Sequence, residues 1–320
     1  MFFKKLNPGV FQGNLKKSHY FEGWYFKHVT REQDHAFSLI PGVSLAENDS
    51  HAFIQIMDGY TGNTDYIRYP LSDFTWDKKK LWLKIGSSVF TDHGIILDID
   101  SDNIKMSGQI NYTGMIKYPG SFFSPGIMGW YTFVPFMECY HGIVSVNHDL
   151  NGKAAINGAG IDFTEGKGYI EKDWGISFPQ AWVWIQSNNF GEHDTSFSFS
   201  IAKIPWLGSF FIGFISFLYF GKKFFLFSTY NKSTVSEMDI KDDSTGIVIK
   251  NKNYILSISV IKKSFGELRA PVSGEMTRRI KESVDSEIHL ELSDQNNNRI
   301  YKGTGKNVGL EVTEPGVLTA

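Results

Sequence analysis

Acidic and aromatic side chains are interleaved in two segments of the chain, a combination suited to proton transfer inside an apolar pocket. The first segment, residues 168–190, reads GYIEKDWGISFPQAWVWIQSNNF. Its charged and indole side chains are those of Glu171, Lys172, Asp173, Trp174, Trp182 and Trp184. The second segment, residues 19–27, reads HYFEGWYFK and places Glu22 among aromatic residues. Two such segments indicate two related halves, each directing acidic and aromatic groups towards a pocket.

The paired carboxyls of the first segment are the leading candidates for acid chemistry. In an extended strand Glu171 and Asp173 face the same way, and Lys172 faces the opposite way. Two carboxyls facing an apolar cavity raise the pKa of one member, which suits a general acid. The alternative is that both carboxyls are solvent-exposed or cap the turn at Trp174. The surrounding tryptophans favour the pocket.

Glu22 and His141 are further candidates for catalytic residues. Glu22 is either an exposed strand residue or a buried carboxyl, and burial would require a partner such as Lys27, Arg31 or a tyrosine hydroxyl. His141 could shuttle a proton, or it could be a histidine whose hydrogen bonds are satisfied in the core.

Composition and motifs exclude several classes of protein. The net charge of −2 provides no broad basic field, so no nucleic-acid partner is expected. The single cysteine, Cys139, excludes an intrachain disulfide framework and is interpreted as a small buried residue. The histidines show no metal-ligand spacing, and the sequence has no phosphate-binding glycine loop and no dinucleotide fingerprint. We therefore expect no metal and no cofactor.

Short alternating segments dominate the chain and predict β-strands. Residues 104–112, 254–260 and 288–292 alternate apolar and polar side chains, and turn-forming residues separate such segments. Many short strands with turns between them are typical of a β-sandwich or a barrel. Convincing helical periodicity is nearly absent, and residues 275–288 are the best candidate for a helix.

The most apolar stretch, residues 206–230, is predicted to be a β-hairpin that turns at 221–223. Its uninterrupted apolar part is shorter than the roughly 20 residues that a spanning helix requires, and it contains glycines. A peripheral membrane contact is left open. The first residues lack an apolar run of signal-peptide length, so we expect a cytoplasmic location.

Weak sequence similarities between the two halves of the chain suggest an internal duplication. Glu22-Gly-Trp24 resembles the segment 171–174, and residues 53–55 resemble 184–186. A connector rich in proline and glycine, 119–129, lies near the middle of the chain. The chain is therefore predicted to form an N-terminal domain, 1–160, and a C-terminal domain, 161–320.

The chain resembles the tocopherol cyclase family along nearly its whole length. The motifs that carry the resemblance are YFEGWYFK (20–27), IPG (40–42), AFIQ (52–55), GW (129–130) with Pro135 and His141, GYIEKDWG (168–175), SFP (177–179), WVWIQSN (182–188) and GKNVGLE (305–311). The resemblance implies an all-β fold of two tandem lipocalin-like antiparallel β-barrels. It also implies a lipophilic partner, a prenyl-quinol or a polyene.

The resemblance implies an acid-promoted cyclisation or isomerisation, in which an alkene is protonated and a phenol oxygen closes a ring. The expected catalytic residues are Glu22, Glu171, Asp173 and His141. The expected ligand-binding residues are Trp24, Tyr25, Gln55, Trp130, Trp174, Trp182, Trp184, Gln186 and Asn188. The sequence reads Glu-Lys-Asp-Trp-Gly at 171–175, where plant members of the family have asparagine in place of Asp173. A non-enzymatic carrier of a hydrophobic ligand is the alternative function.

Overall fold

The computed structural model describes residues 2–191 and 194–318, and this part of the chain is almost entirely β-structure. Its α-helical content is one four-residue helix, α1 (Phe2–Lys5). Short 3-10 helices are η1 (Leu71–Asp73), η2 (Gly129–Phe133), η3 (Thr229–Asn231) and η4 (Pro315–Val317). Within the described residues, no helix has the length and apolar character needed to cross a membrane.

The first sheet has 12 antiparallel strands. In chain order they are β1 (Tyr20–Val29), β2 (Ala36–Leu45), β3 (His51–Asp58), β4 (Thr64–Tyr69), β5 (Phe74–Trp76), β6 (Trp82–Ile85), β7 (Ser88–Thr91), β8 (Gly94–Asp100), β9 (Lys105–Ile116), β10 (Cys139–Ile156), β11 (Ala159–Asp162) and β12 (Lys167–Gly175). Their order in the sheet is β4-β3-β2-β1-β12-β10-β9-β8-β7-β6-β5, with β11 paired to β10. Strand β12 thus lies between β1 and β10.

The second sheet has 10 strands. They are β13 (Trp182–Ser187), β14 (Ser196–Trp206), β15 (Ser209–Phe220), β16 (Lys223–Ser228), β17 (Thr234–Ile240), β18 (Ser244–Lys250), β19 (Tyr254–Ile261), β20 (Gly266–Val272), β21 (Glu275–Asp294) and β22 (Arg299–Thr313). Their order is β16-β15-β14-β13-β22-β21-β19-β18-β17, with β20 paired to β21.

Each sheet curls around its own apolar core, so the chain forms two tandem lipocalin-like antiparallel β-barrels, as the sequence predicted. Successive strand residues point to opposite faces. Trp24 and Phe26 of β1 and Ile170 of β12 face the core of the first barrel. Val183 and Ile185 of β13 face the core of the second.

The two compact units of the structure are not continuous in sequence. The first comprises residues up to 58, then 63–178 and 267–280, and the second comprises 59–62, 179–266 and residues from 281 onwards. Strand β12 follows residue 160 but belongs to the first sheet, because it pairs with β1 and β10. The boundary at residue 160 stays a prediction about domains.

The segment 267–280 is held in the first unit by hydrogen bonds. The Gln55 side chain accepts from the backbone N–H of Arg269 at 2.7 Å and donates to the same residue's carbonyl at 3.3 Å. The Ser44 hydroxyl donates to the carbonyl of Gly274 at 2.7 Å. This segment therefore completes the first unit after the chain has passed through much of the second.

The predicted helix at 275–288 is wrong, because these residues belong to the long strand β21. Met276, Ile280, Val284 and Ile288 are buried at intervals of four residues. Such spacing places side chains on one side of a helix, but an even interval also places them on one face of a strand. The interval of four was therefore compatible with both structures.

The predicted hairpin in the apolar stretch is confirmed. Strands β15 and β16 pair antiparallel, with Phe220 opposite Lys223 across the turn. The stretch also includes the end of β14, which pairs with β15. Most of its apolar residues lie in strands of the second sheet, whereas Leu207, in the turn between β14 and β15, and Phe210 are exposed.

Gly168 of β12 lies where the backbone must pass close to a buried imidazole. It is opposite His148 of β10 and opposite His28 of β1. A β-carbon at residue 168 would lie 2.2 Å from Nε2 of His148. No side chain larger than hydrogen fits without displacing this ring, which is itself buried.

We expect Gly168→Ala to lower the free energy of unfolding by about 2 kcal/mol, because the added methyl group overpacks the core. Urea unfolding measures this difference. Gly160→Ala in β11 is the matched control, since no atom lies within 4 Å of a β-carbon there. The control should leave stability unchanged or slightly raised. Equal unfolding midpoints for the two variants would contradict this packing argument.

Candidate functional site

Polar side chains are buried on the face of the first sheet that points away from its core. Tyr25 lies opposite Glu171, and Lys27 lies opposite Tyr169, in the pairing of β1 with β12. All four residues are buried. His141 of β10 lies opposite Asp173 on the same face. A buried face with this many ionisable groups is unusual for a sheet and identifies a candidate site.

Three of these residues, His141, Glu171 and Asp173, form what we call the acid cluster. Nδ1 of His141 lies 2.9 Å from Oδ1 of Asp173, within hydrogen-bonding distance. Nε2 of the same ring lies 3.6 Å from Oε2 of Glu171, too far for a hydrogen bond. The hydroxyl of Tyr169 donates to that carboxyl at 2.6 Å. The imidazole therefore stands between two carboxyls, and one of them is fixed by a tyrosine.

The acid cluster holds a proton near neutral pH. Burial lowers the pKa of His141, but the charges of Asp173 and Glu171 and the hydrogen bond to Asp173 outweigh burial and raise the pKa to about 9. Nε2 of His141 is buried and makes no hydrogen bond to the described residues. The protonated ring thus presents one N–H that a ligand could meet.

The acid cluster also has the donor atoms of a cation site. The ligating atoms of its three members lie within 4.8 Å of one another. One imidazole nitrogen with two carboxylate oxygens is a donor set that divalent transition metals accept. No metal was expected from the spacing of the histidines along the sequence, and this group contains only one histidine. Protonation of the imidazole offsets one of the two negative charges without a cation.

Glu22 lies on the opposite face, among the residues of the first core, and is fully buried. Its carboxyl accepts the backbone N–H groups of Gln12 and Gly13, at 2.8 and 3.0 Å. It also accepts the hydroxyl of Tyr20 and, at 2.7 Å, the ammonium of Lys172. Of the two alternatives for Glu22, the buried carboxyl is therefore the one observed. A tyrosine partner was expected, whereas Lys172 was not among the expected partners.

Lys172 is fully buried between two indoles. Its Nζ lies 5.1 Å from the Trp24 ring centroid and 4.4 Å from that of Trp174. It also donates to the carbonyl of Val10 at 2.7 Å. Burial lowers the pKa of Lys172 to about 8, although the nearby Glu22 carboxylate acts to raise it. The faces of Trp24 and Trp174 thus already contact a cation, and their role towards a ligand stays a prediction.

The remaining expected ligand-binding residues of the first unit differ in environment. The amide of Gln55 is engaged by the backbone of Arg269. Trp130 is 49% exposed and stacks on Tyr131 in η2, with ring centroids 4.1 Å apart. Tyr25 lies on the face of the acid cluster.

The second unit contains the other four expected ligand-binding residues, and all are buried. Trp182, Trp184 and Gln186 alternate with the core residues of β13 and face away from the second core. The indole of Trp182 donates to Glu311 at 2.6 Å. Gln186 donates to Asn188 at 3.4 Å.

Sequence reasoning missed Glu282, a fully buried carboxyl of β21. It lies opposite Glu311 in the pairing of β21 with β22. The segment that contains Glu282 was predicted as a helix, and the pairing of two carboxyls across strands was therefore not considered. A strand interpretation of 275–294 would have revealed this residue.

A cavity of about 510 Å³ lies in the second unit. Apolar side chains in its lining are those of Ile201, Ile212, Phe214, Val235, Met238 and Leu318. Its one ionisable lining residue is Glu237. This cavity has the character of a binding site for an apolar chain and lacks the grouped acids of the first unit.

The two antiparallel barrels define a lipocalin-like fold. The sequence model of the tocopherol cyclase-like family matches residues 90–314, and the chain belongs to this family. The probable chloroplastic tocopherol cyclase of Oryza sativa subsp. japonica is 25% identical over 195 residues, covering 58% of this chain and 41% of the rice protein. The chloroplastic tocopherol cyclase of Zea mays is 36% identical over 62 residues, 19% of this chain and 13% of the maize protein. The matches thus span less than half of either plant protein.

Solved structures share the fold at low sequence identity. A putative AttH from Nitrosomonas europaea has a TM-score of 0.54 at 12% identity, covering 91% of this chain and 92% of that one. CghA, solved with Sch210972, has a TM-score of 0.57 at 10% identity, with 92% and 88% covered. Kievitone hydratase from Nectria haematococca has a TM-score of 0.50 at 10% identity, with 95% and 93% covered. These similarities establish the two-barrel fold.

We expect Lys172→Met to lower the free energy of unfolding by about 3–5 kcal/mol, because it leaves the Glu22 carboxylate buried without its cation. Combining it with Glu22→Gln should recover part of the loss. Lys105→Met is the control, since its ion pair with Asp100 is exposed, and a change below about 0.5 kcal/mol is expected. Urea unfolding of the parent, the two lysine variants and the double variant measures these differences. Equal losses of unfolding free energy in Lys172→Met and Lys105→Met would contradict a stabilising role for the buried ion pair.

We expect the NMR titration of His141 to give a pKa near 9, and Asp173→Asn to lower it. The pKa of His141 in the folded protein exceeds the ordinary histidine pKa of about 6.5. Protonated His141 therefore contributes its full stabilisation below about pH 6.5. This contribution is lost as the pH rises through about 9, and His141→Gln should remove this part of the pH dependence. His148, whose pKa burial lowers to about 3, should not titrate in the same range. An unshifted His141 would contradict the ion pairs.

Proposed function

We propose that the protein binds a lipophilic alkene and that the acid cluster supplies the proton for addition of an oxygen nucleophile to it. The observation that carries this proposal is the placement of His141 between Asp173 and Glu171 on a buried face. Family membership and the likeness in fold to a hydratase support an addition reaction of this class. With an internal phenol as nucleophile the product is a ring, and with water it is an alcohol.

Each member of the acid cluster has a distinct role in this reaction. Asp173 accepts the hydrogen bond from Nδ1 and orients the ring, and His141 stores the proton. Glu171 is the donor to the alkene: it receives the proton that Nε2 of His141 holds 3.6 Å away, and the resulting carboxylic acid is a stronger acid than the imidazolium. The proton leaves Glu171 for one alkene carbon, and the cation develops on the other. After the oxygen attacks, its proton returns to the cluster, so cyclisation is a net isomerisation.

Aromatic rings next to the donor would stabilise the developing cation. Tyr25 lies opposite Glu171, and Tyr169 donates to its carboxyl. A desolvated cation over an aromatic face gains about 2 kcal/mol. Exclusion of water from this buried face also prevents premature capture of the cation.

A carrier function is the second candidate, and the cavity in the second unit favours it. The cavity is lined by apolar side chains together with the hydroxyls of Thr229, Ser233, Thr234 and Ser236, and it could hold a largely apolar ligand without changing it. Val235→Trp should fill the cavity and abolish ligand binding if the protein is a carrier. The same change should leave turnover intact if the acid cluster carries the function.

The decisive experiment is turnover of a panel of prenylated hydroquinones, followed by chromatography and mass spectrometry for an isomer or for a product that has gained water. Glu171→Gln and His141→Gln should each reduce turnover about 10²-fold or more with little change in ligand affinity. Asp173→Asn keeps an acceptor oxygen for Nδ1 and should reduce turnover less. Asp100→Asn, an exposed carboxyl, is the matched control.

Adding a metal chelator should leave turnover unchanged if the acid cluster acts by transferring protons and not by binding a metal ion. Parental rates in all three variants would place the proton donor elsewhere. Binding of the panel without any transformation by the parent protein would support the carrier.

A further inference from the structure

Residues 118–137, here called the aromatic loop, combine high exposure with a complete lack of charge. The loop runs YPGSFFSPGIMGWYTFVPFM between Lys117 and Glu138. Phe122 is 59% exposed, Phe123 79% and Phe136 95%. The rings of Phe122 and Phe123 contact each other, with centroids 5.2 Å apart. Exposed aromatic rings concentrated in one uncharged segment are typical of an interaction site.

The fold does not require the most exposed of these rings. Phe136 has a φ of 63°, in the left-handed region that a residue with a bulky side chain rarely adopts. Glycine or asparagine would relieve this conformation. With 95% of its surface accessible, the ring gains almost no packing energy to offset the strain. The physical benefit of phenylalanine here must come from a contact outside the chain.

The charged residues near the aromatic loop lie outside residues 118–137. Exposed Lys117 precedes the loop, and Nζ of Lys5 lies 5.9 Å from the ring of Phe133. Aromatic residues prefer the boundary between lipid headgroups and acyl chains, and flanking lysines reach the phosphates. Because no charged side chain would have to be desolvated between the two ends, the loop can enter this boundary at low cost. This arrangement fits a phospholipid surface.

The aromatic loop contacts β10, the strand that carries His141 of the acid cluster. The backbone N–H of His141 donates to the sulfur of Met128, with 3.1 Å between the two atoms. The hydroxyl of Tyr140 donates to the carbonyl of Val134 at 2.7 Å. The aromatic loop and His141 are therefore joined by direct contacts.

We propose that the aromatic loop docks on the surface of a phospholipid bilayer, with the rings of Phe122, Phe123 and Phe136 at the headgroup–acyl boundary. Docking lets a lipophilic substrate pass from the bilayer to the acid cluster without crossing water. The passage of substrate rests on the proposed function, whereas docking itself does not.

Flotation with phosphatidylcholine vesicles tests docking. The parent chain should float with the vesicles, and binding should persist at high salt, since apolar contacts dominate. The triple variant Phe122→Ser, Phe123→Ser, Phe136→Ser should bind at least about tenfold more weakly. The double variant Ile96→Ser, Ile261→Ser removes exposed apolar side chains from strands elsewhere and should bind like the parent. Circular dichroism confirms that each variant is folded.

Failure of the parent to float, or equal flotation of the triple variant, would overturn the proposal. Light scattering without vesicles supplies a second test. A dimer in the parent that becomes a monomer in the triple variant would assign the loop to a second copy of the chain and also overturn it.

Substrate passage is tested separately with a prenylated hydroquinone presented in vesicles or in detergent micelles. The triple variant should lose turnover from vesicles and retain it from micelles. If the triple variant turns over substrate equally from vesicles and from micelles, the passage of substrate along the loop is wrong, and docking is unaffected. If the parent turns over substrate from neither vesicles nor micelles, the proposed function is rejected instead.

Discussion

The alternation of side chains along β12 decides what each residue of the Glu171-Lys172-Asp173 sequence can do. Because neighbouring strand residues point to opposite faces, Lys172 enters the first core while its two neighbours lie on the other face. A shift of one residue in register would exchange the two groups. It would bury both carboxyls in the core and take the ammonium away from Glu22. The site and the stability of the first barrel therefore depend on the same register.

The pair of Lys172 with Glu22 connects the first barrel to the beginning of the chain. Glu22 accepts backbone N–H groups from Gln12 and Gly13, and Lys172 donates to the carbonyl of Val10. The two charges thus satisfy backbone groups that would otherwise be buried without partners. Buried ion pairs seldom stabilise more than an apolar alternative would, but they specify geometry when their hydrogen bonds are complete. Here they fix the path of the segment that precedes β1.

Local patterns in the sequence predicted the all-β fold and the shared face of Glu171 and Asp173. They could not predict which residue would stand opposite, since His141 lies 32 residues from Asp173 and meets it only through the pairing of β10 with β12. The partner of Glu22 is 150 residues away for the same reason. The error at 275–288 had a different origin, because burial at every fourth residue is shared by helix and strand. That error also concealed Glu282.

The return of residues 267–280 to the first unit has a consequence for the order of folding during synthesis. Gln55 and Ser44 emerge early from the ribosome, but the backbone groups that they bind belong to Arg269 and Gly274. Most of the second unit is translated in between. The strands of the first sheet can therefore all be made before the side chains of Gln55 and Ser44 meet these partners. A polypeptide that ends after β12 would keep both side chains without the hydrogen bonds to Arg269 and Gly274.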